Sequence, residues 1–209
     1  MNLKKLREAE GLFLLQYPDG FADEAMAGVR KRHGSVDKLT EFARVELAKK
    51  KFDTPGNALD AITKIVSRSS MVSMFEKPKF RDYVNGMTRD DREYLAGAYR
   101  NMLHGKRAQG FADVVDVLGE AKLAKWSLLT ICLFHYRPTK DVFVKPTTTK
   151  NVIRVFELEG LEYKPRPSWA FYSAYRRAID EMKSAVNPSL HPSNAAFTGF
   201  LMMSTGSAP

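Results

Sequence analysis

The sequence predicts an all-α fold, a multi-helix globule. Three observations carry this. Apolar residues recur at spacings of three and four, best where Tyr94, Leu95, Ala98, Tyr99, Met102 and Leu103 share one face. No stretch alternates apolar and polar residues over strand length, and Val142–Val144 is β-rich but too short. Proline, glycine and capping residues interrupt the chain at short intervals, which gives about ten short helices.

Residues 3–17 carry Leu3, Leu6, Leu12, Phe13 and Leu15 in a helical but imperfect pattern. Residues 17–21, with Pro18 and Gly20, form a turn. Asp23 caps a second helix to about Arg32, Gly34–Ser35 breaks it, and a third helix covers 35–50. The run Lys49–Lys51 complements the negative end of that helix dipole. Pro55 opens the next helix from its first helical position, and Leu59, Ile62, Ile65 and Val66 form its apolar face until 67–70 interrupt it. Residues 71–84 mix Met74, Phe75, Phe80 and Tyr83 with lysine and arginine. A helix starts at Thr88–Asp91 and stops at His104–Gly105, and a short one spans 111–118. An apolar helix bearing Trp126 follows, then a loop with Arg137 and Pro138, then a helix that begins at three threonines, 147–149. Ser168 or Pro167 opens a long helix to about Val186, with Trp169, Tyr172, Tyr175, Ile179 and Met182 on one face. Pro188 and Pro192 end it, a last helix covers 193–203, and 204–209 is a frayed tail. The chain reads as one domain, 1–209, in which lobes 1–105 and 106–203 are conceivable without a clear linker.

A net charge of +9 and a pI near 9.6 favour a polyanionic partner, with nucleic acid ahead of an anionic membrane surface. The single cysteine, Cys132, excludes an internal disulfide and reads as a buried thiol. His33, His104, His135 and His191 lack metal-ligand spacing, so neither a metal nor a cofactor is expected. His135, beside the candidate site, reads as a general base or a structural histidine. The apolar patch Leu12–Leu15 is too short for a signal sequence, and nothing approaches a membrane span. A cytoplasmic protein is the expectation. Phosphate-cradling Walker loops, GxSxG and HExxH are absent from the sequence.

The chemistry concentrates in residues 118–156. Val114–Leu118, the turn 118–124, Lys125-Trp126-Ser127 and Lys140-Asp141-Val142-Phe143 together resemble the core of the helix-hairpin-helix DNA glycosylase superfamily, in its alkyladenine-type branch. The likeness extends to about residue 186 through Pro167-Ser168-Trp169 and implies a helix-hairpin-helix element at 114–136. The family hairpin reads Gly-hydrophobic-Gly, whereas here Gly119 is followed by Glu120 and Ala121. The resemblance implies a duplex DNA partner, a flipped base and an N-glycosylase-like hydrolase. In one register Asp141 is the catalytic acid; in the other that position falls at Thr147 or Thr148 and the acid is absent.

Each candidate also has a plainer reading. Asp141 would stabilise an oxocarbenium-like sugar or activate water, or else cap a helix or pair with Lys140. Lys125 reads as a Schiff-base amine, a phosphate contact or a solvated lysine. Trp126, with Tyr136 further along the helix, would stack on a base, or else Trp126 is a core tryptophan. Arg137, Lys140, Lys145, Lys150 and Arg154 lie within eighteen residues, opposed by Asp141 alone. With Thr147 and Thr148 at a helix start they form the expected phosphate-binding footprint; a solvated face with Thr147 as N-cap is the alternative. Three functions stay open: a glycosylase-like enzyme, a non-catalytic nucleic-acid-binding module, and a helical protein-interaction module.

Overall fold

The computed structural model describes residues 1–206, with the backbone alone over 30–35. Ten α-helices and four 3-10 turns, and no strand, make up the described residues. The helices are α1 (Leu3–Gln16), α2 (Ala27–Glu46), α3 (Pro55–Arg68), α4 (Glu76–Gly86), α5 (Arg89–His104), α6 (Arg107–Glu120), α7 (Trp126–Tyr136), α8 (Pro146–Val155), α9 (Trp169–Ser184) and α10 (Asn194–Ser204). None of the described helices is long and apolar enough to cross a membrane.

Local chemistry sets most boundaries. Asn2, Thr88, Ser168 and Ser193 each accept a hydrogen bond from a first-turn N–H of α1, α5, α9 and α10, satisfying a donor that has no partner inside the helix. Pro55 and Pro146 occupy first helical positions, where a missing N–H costs nothing. Asp23 caps a 3-10 turn, 24–26, that runs straight into α2.

Three stretches differ from the sequence reading. Helix α2 is continuous from 27 to 46, so the chain does not break at Gly34–Ser35. Val29 and Val36, before and after residues 34–35, both pack against the core, as do Leu39, Ala43 and Leu47. A mid-helix glycine costs about 1 kcal/mol; burying these side chains outweighs it. The Lys49–Lys51 run lies in a separate 3-10 turn, 49–53, rather than at the end of a helix. The short helix expected at 111–118 extends over 107–120.

Helix α7 sits at the centre. Trp126 and every residue from Leu128 to His135 are buried, and all but Thr130 and His135 are apolar, as in a helix enclosed by others. Helices α2, α3 and α6 pack on it. The closest helix pair is α5–α6, joined by the two-residue turn Gly105–Lys106. Cys132 lies inside α7, fully buried, and burial pushes its thiol up to about 12, which leaves it unreactive at neutral pH.

His135 carries a pH dependence. Its ring is buried, Nδ1 lies 3.1 Å from the Thr40 hydroxyl, and Nε2 has no partner among the described residues. Burial lowers its pKa from 6.5 to about 4. Below pH 6.5 the unfolded chain takes up a proton that the folded chain refuses until about pH 4. The stability contributed by neutral His135 is therefore present above pH 6.5 and lost as pH falls through that window. The urea midpoint is expected to be lower at pH 5 than at pH 7, and His135→Gln should flatten that difference. An unchanged pH profile in the variant would remove His135 as its source.

Candidate functional site

The segment after α7 determines what comes together. Residues 137–140 turn, with the N–H groups of Lys140 and Asp141 donating to the Arg137 carbonyl at 3.0 and 2.8 Å. Asp141, Val142, Phe143 and Val144 then run buried, outside any helix or strand. The Val144 N–H donates to the Thr130 hydroxyl at 3.1 Å, so this segment travels back along α7 towards its start. Lys145 is thereby returned to the end of α7 where Lys125 lies, twenty residues earlier in the chain.

There the two lysines line one cleft of about 360 Å³ with Met71, Ser73, Glu76, Ser127 and Tyr163. Three helices begin at this cleft: α4 at Glu76, α7 at Trp126 and α8 at Pro146. None has a side-chain cap; the N-cap residues are Phe75, Lys125 and Lys145. A lysine N-cap is unfavourable twice over. It provides no acceptor for the first-turn N–H groups, and it sets a cation at the positive end of the helix dipole. Lys125, Lys145 and Lys150 are exposed, and none pairs with a carboxylate among the described residues. The Lys150 ammonium lies 5.1 Å from the ring of Tyr163 in the cleft wall. The one acid in the wall, Glu76, accepts a hydrogen bond from the Ser127 hydroxyl at 2.8 Å.

Not every expected phosphate ligand belongs here. Arg137 is at the far end of α7, roughly 16 Å along the helix axis. It is half-buried, donates to the Leu103 carbonyl and lies over the ring of Tyr136. Tyr136 itself packs edge-on against His104 at 5.0 Å, so neither group faces the cleft at Lys125. Lys140 is exposed on the turn at that same far end. Thr147 is exposed, but Thr148 and Thr149 are buried, and Thr149 bonds to Tyr175. Arg154 is exposed in the last turn of α8, about 10 Å from Thr147 along the axis. Of the five cations read as a single footprint, Lys145 and Lys150 stand by the cleft.

Asp141 is a core residue. Its side chain is 0% exposed, and the Arg107 Nη2 bonds both carboxylate oxygens, at 2.7 and 2.8 Å. The Tyr172 hydroxyl donates to one of them at 3.2 Å. The Asn194 amide donates to the Asp141 carbonyl at 2.9 Å. Arg107, 5.1 Å from the Trp169 ring centroid, begins α6; Tyr172 lies on α9 and Asn194 begins α10. Burial, then the charge of Asp141, raises the Tyr172 pKa well above its usual value. One aspartate thus ties three helices to the returning segment. It does not line the Lys125 cleft, and with its oxygens held by Arg107 and Tyr172 it presents no face to a sugar or a water.

Trp126 is 2% exposed, among Phe111, Phe171 and Tyr163, and its indole N–H donates to the Lys164 carbonyl at 2.8 Å. It supports the cleft wall but has no ring face open for a base. Lys125 is solvated, without the desolvation that activates a Schiff-base amine. The turn between α6 and α7 also departs from a glycine hairpin. Gly119 lies inside α6, and Lys122 takes the left-handed conformation instead, with φ +58°. The N–H groups of Lys122 and Leu123 donate to the carbonyls of Gly119 and Leu118, at 3.0 and 2.7 Å, closing the helix end. Those two donors are consumed and do not point at a phosphate.

No family model, curated protein or solved structure matches the chain. The resemblance to the glycosylase superfamily therefore rests on the residues quoted for it.

Arg107, Tyr172, Asn194 and Glu76 escaped the sequence reading as partners. For Arg107 a signal existed. Lys106 and Arg107 open a helix with two cations at its positive end, which calls for a nearby acid. A larger cleft, about 600 Å³, lies elsewhere, but Asp82, Asp91 and Glu120 line it and would repel a polyanion.

Proposed function

We propose that this protein binds nucleic acid without catalysing base removal, through phosphate contacts at the cleft where α4, α7 and α8 begin. The observation that carries the reading is the lysine N-cap of both α7 and α8 at one cleft. Helix stability favours Ser, Thr, Asp or Asn there, and a cation in their place works against the fold. A bound phosphate reverses the account. It accepts from the uncapped first-turn N–H groups, meets the positive helix ends and pairs with both ammonium groups. The net charge of +9 supplies long-range attraction for the same partner. The buried, doubly bonded state of Asp141 favours binding over glycosylase chemistry.

The test uses variants whose effects on folding and binding have opposite signs. Lys125→Ser and Lys145→Ser each introduce a capping side chain and are expected to stabilise the protein by about 0.5–1 kcal/mol. Each should also weaken binding to a 20-base-pair duplex and reduce the slope of log K against log salt by about 1. Fluorescence anisotropy from 50 to 200 mM salt reads both. A flat salt dependence in the unmodified protein, or variant slopes equal to it, overturns the proposal.

A further inference from the structure

The turn between α3 and α4 holds two apolar side chains in water. Met74 and Phe75 are 73% and 75% exposed. The turn around them is pinned. Val72 is buried in the core, and the hydroxyls of Ser69 and Ser73 accept from the N–H groups of Met71 and Phe75 at 3.2 and 3.3 Å. The N–H groups of Glu76 and Lys77 both donate to the Ser73 carbonyl, at 3.0 and 3.2 Å. An adjacent pair of large apolar side chains, held exposed on a hydrogen-bonded turn, is available for contact with a partner. Its surroundings indicate the partner. The same turn contributes Met71, Ser73 and Glu76 to the wall of the cleft that carries Lys125 and Lys145. Phe75 is itself the N-cap residue of α4.

We infer that Met74 and Phe75 form a base-stacking element, and that the nucleic acid taken at the lysine cleft has unpaired or readily unstacked bases beside the bound backbone. This rests on the phosphate-binding reading of the cleft. Aromatic faces stack on any base, because every base has a π-face. Apolar wedges enter a base step most cheaply where pairing is already lost. Pinning the turn lowers the ordering cost of that contact. Charge complementarity selects a polyanion, and a concave cleft suits a protruding phosphate strand better than a flat anionic bilayer.

The experiment compares three fluorescent 20-mers in 100 mM salt: a fully paired duplex, the same duplex with a central mismatch, and the single strand. Vesicles of phosphatidylserine and phosphatidylcholine form a fourth arm. The unmodified protein is expected to bind the mismatched duplex and the single strand about tenfold more tightly than the paired duplex. Phe75→Ala should lose that preference while keeping the salt slope and, because the side chain is exposed, the thermal midpoint. Salt-dependent binding with no preference among the probes, or a preference retained in Phe75→Ala, overturns the stacking element and leaves the phosphate site standing. Absence of salt-dependent binding to all three probes overturns both. Vesicle binding that falls in Phe75→Ala while the DNA preference holds reassigns the tip to a membrane surface and overturns the inference.

Discussion

Arg107→Met is expected to destabilise the protein by about 3–5 kcal/mol, the cost of leaving a buried charge without its partner. Asp141 is fully buried, and the Arg107 Nη2 holds both its oxygens, leaving only the Tyr172 hydroxyl when the guanidinium is removed. Asp141→Asn is expected to cost less, about 1–3 kcal/mol. Arg107 is 19% exposed and stacked on Trp169, so its unpaired charge can still reach water. The double variant Arg107→Met/Asp141→Asn should recover part of the loss in Arg107→Met, because no buried charge then lacks a partner. Urea midpoints of the four proteins close the cycle. A midpoint for Arg107→Met equal to the unmodified protein, or a double variant no better than Arg107→Met, would sink the structural assignment. The same series bears on the enzyme reading. A catalytic Asp141 predicts that Asp141→Asn folds with unchanged stability and loses activity alone. A structural one predicts loss of stability, with Lys145 displaced because the returning segment is no longer tied down.

What the sequence disclosed divides along the range of the interactions. Thr88, Ser168 and Pro55 act within one helical turn, so their roles were legible from spacing alone. Thr147, read as the N-cap of α8, instead lies inside it, with Pro146 at the first helical position and Lys145 as the cap residue. Gly34–Ser35 misled because the stability of α2 comes from a packed face, which local propensity does not contain. The site was the least legible part. Lys125 meets Lys145 only because Val144 bonds Thr130 and folds the loop back along α7. Asp141 meets Arg107 across 34 residues, and Glu76 meets Ser127 across 51. Charge spacing grouped Arg137 through Arg154 into one cluster, yet the turn at 137–140 and the length of α7 spread those cations over two ends of the molecule. One residue pattern did carry the information. Lysine stands where a helix start wants a short acceptor at 106, 125 and 145. Beside the first, Arg107 pairs with Asp141, whereas Lys125 and Lys145 meet no carboxylate among the described residues, and that unanswered conflict is what favours a partner outside the chain.

Gly110→Ala is expected to cost about 3 kcal/mol or more, at or beyond the upper end for overpacking. The reason is contact, not conformation. Gly110 is buried in α6, and an added Cβ would lie 2.3 Å from the Met102 nitrogen, 2.6 Å from the Ala98 oxygen and 2.8 Å from the Asn101 carbonyl carbon. All three are backbone atoms of α5, which cannot rotate aside as a side chain would. The helices must separate, and the short turn Gly105–Lys106 leaves little slack for that. Separation would carry Arg107 and Phe111 with it, loosening the ion pair to Asp141 and the ring contacts of Phe111 with Trp126, Trp169 and Tyr172. Gly97, exposed in the middle of α5, is the control, since its Cβ would meet nothing within 4 Å. There alanine gains helix propensity at no steric cost, about 1 kcal/mol. Thermal unfolding should therefore separate the two substitutions in sign: a fall of roughly 6–12 °C for Gly110→Ala and a rise of roughly 2–4 °C for Gly97→Ala. Two shifts in the same direction would mean that α5 and α6 do not meet backbone to backbone. The platform that fixes Arg107, and through Asp141 the loop leading to Lys145, would then need another explanation.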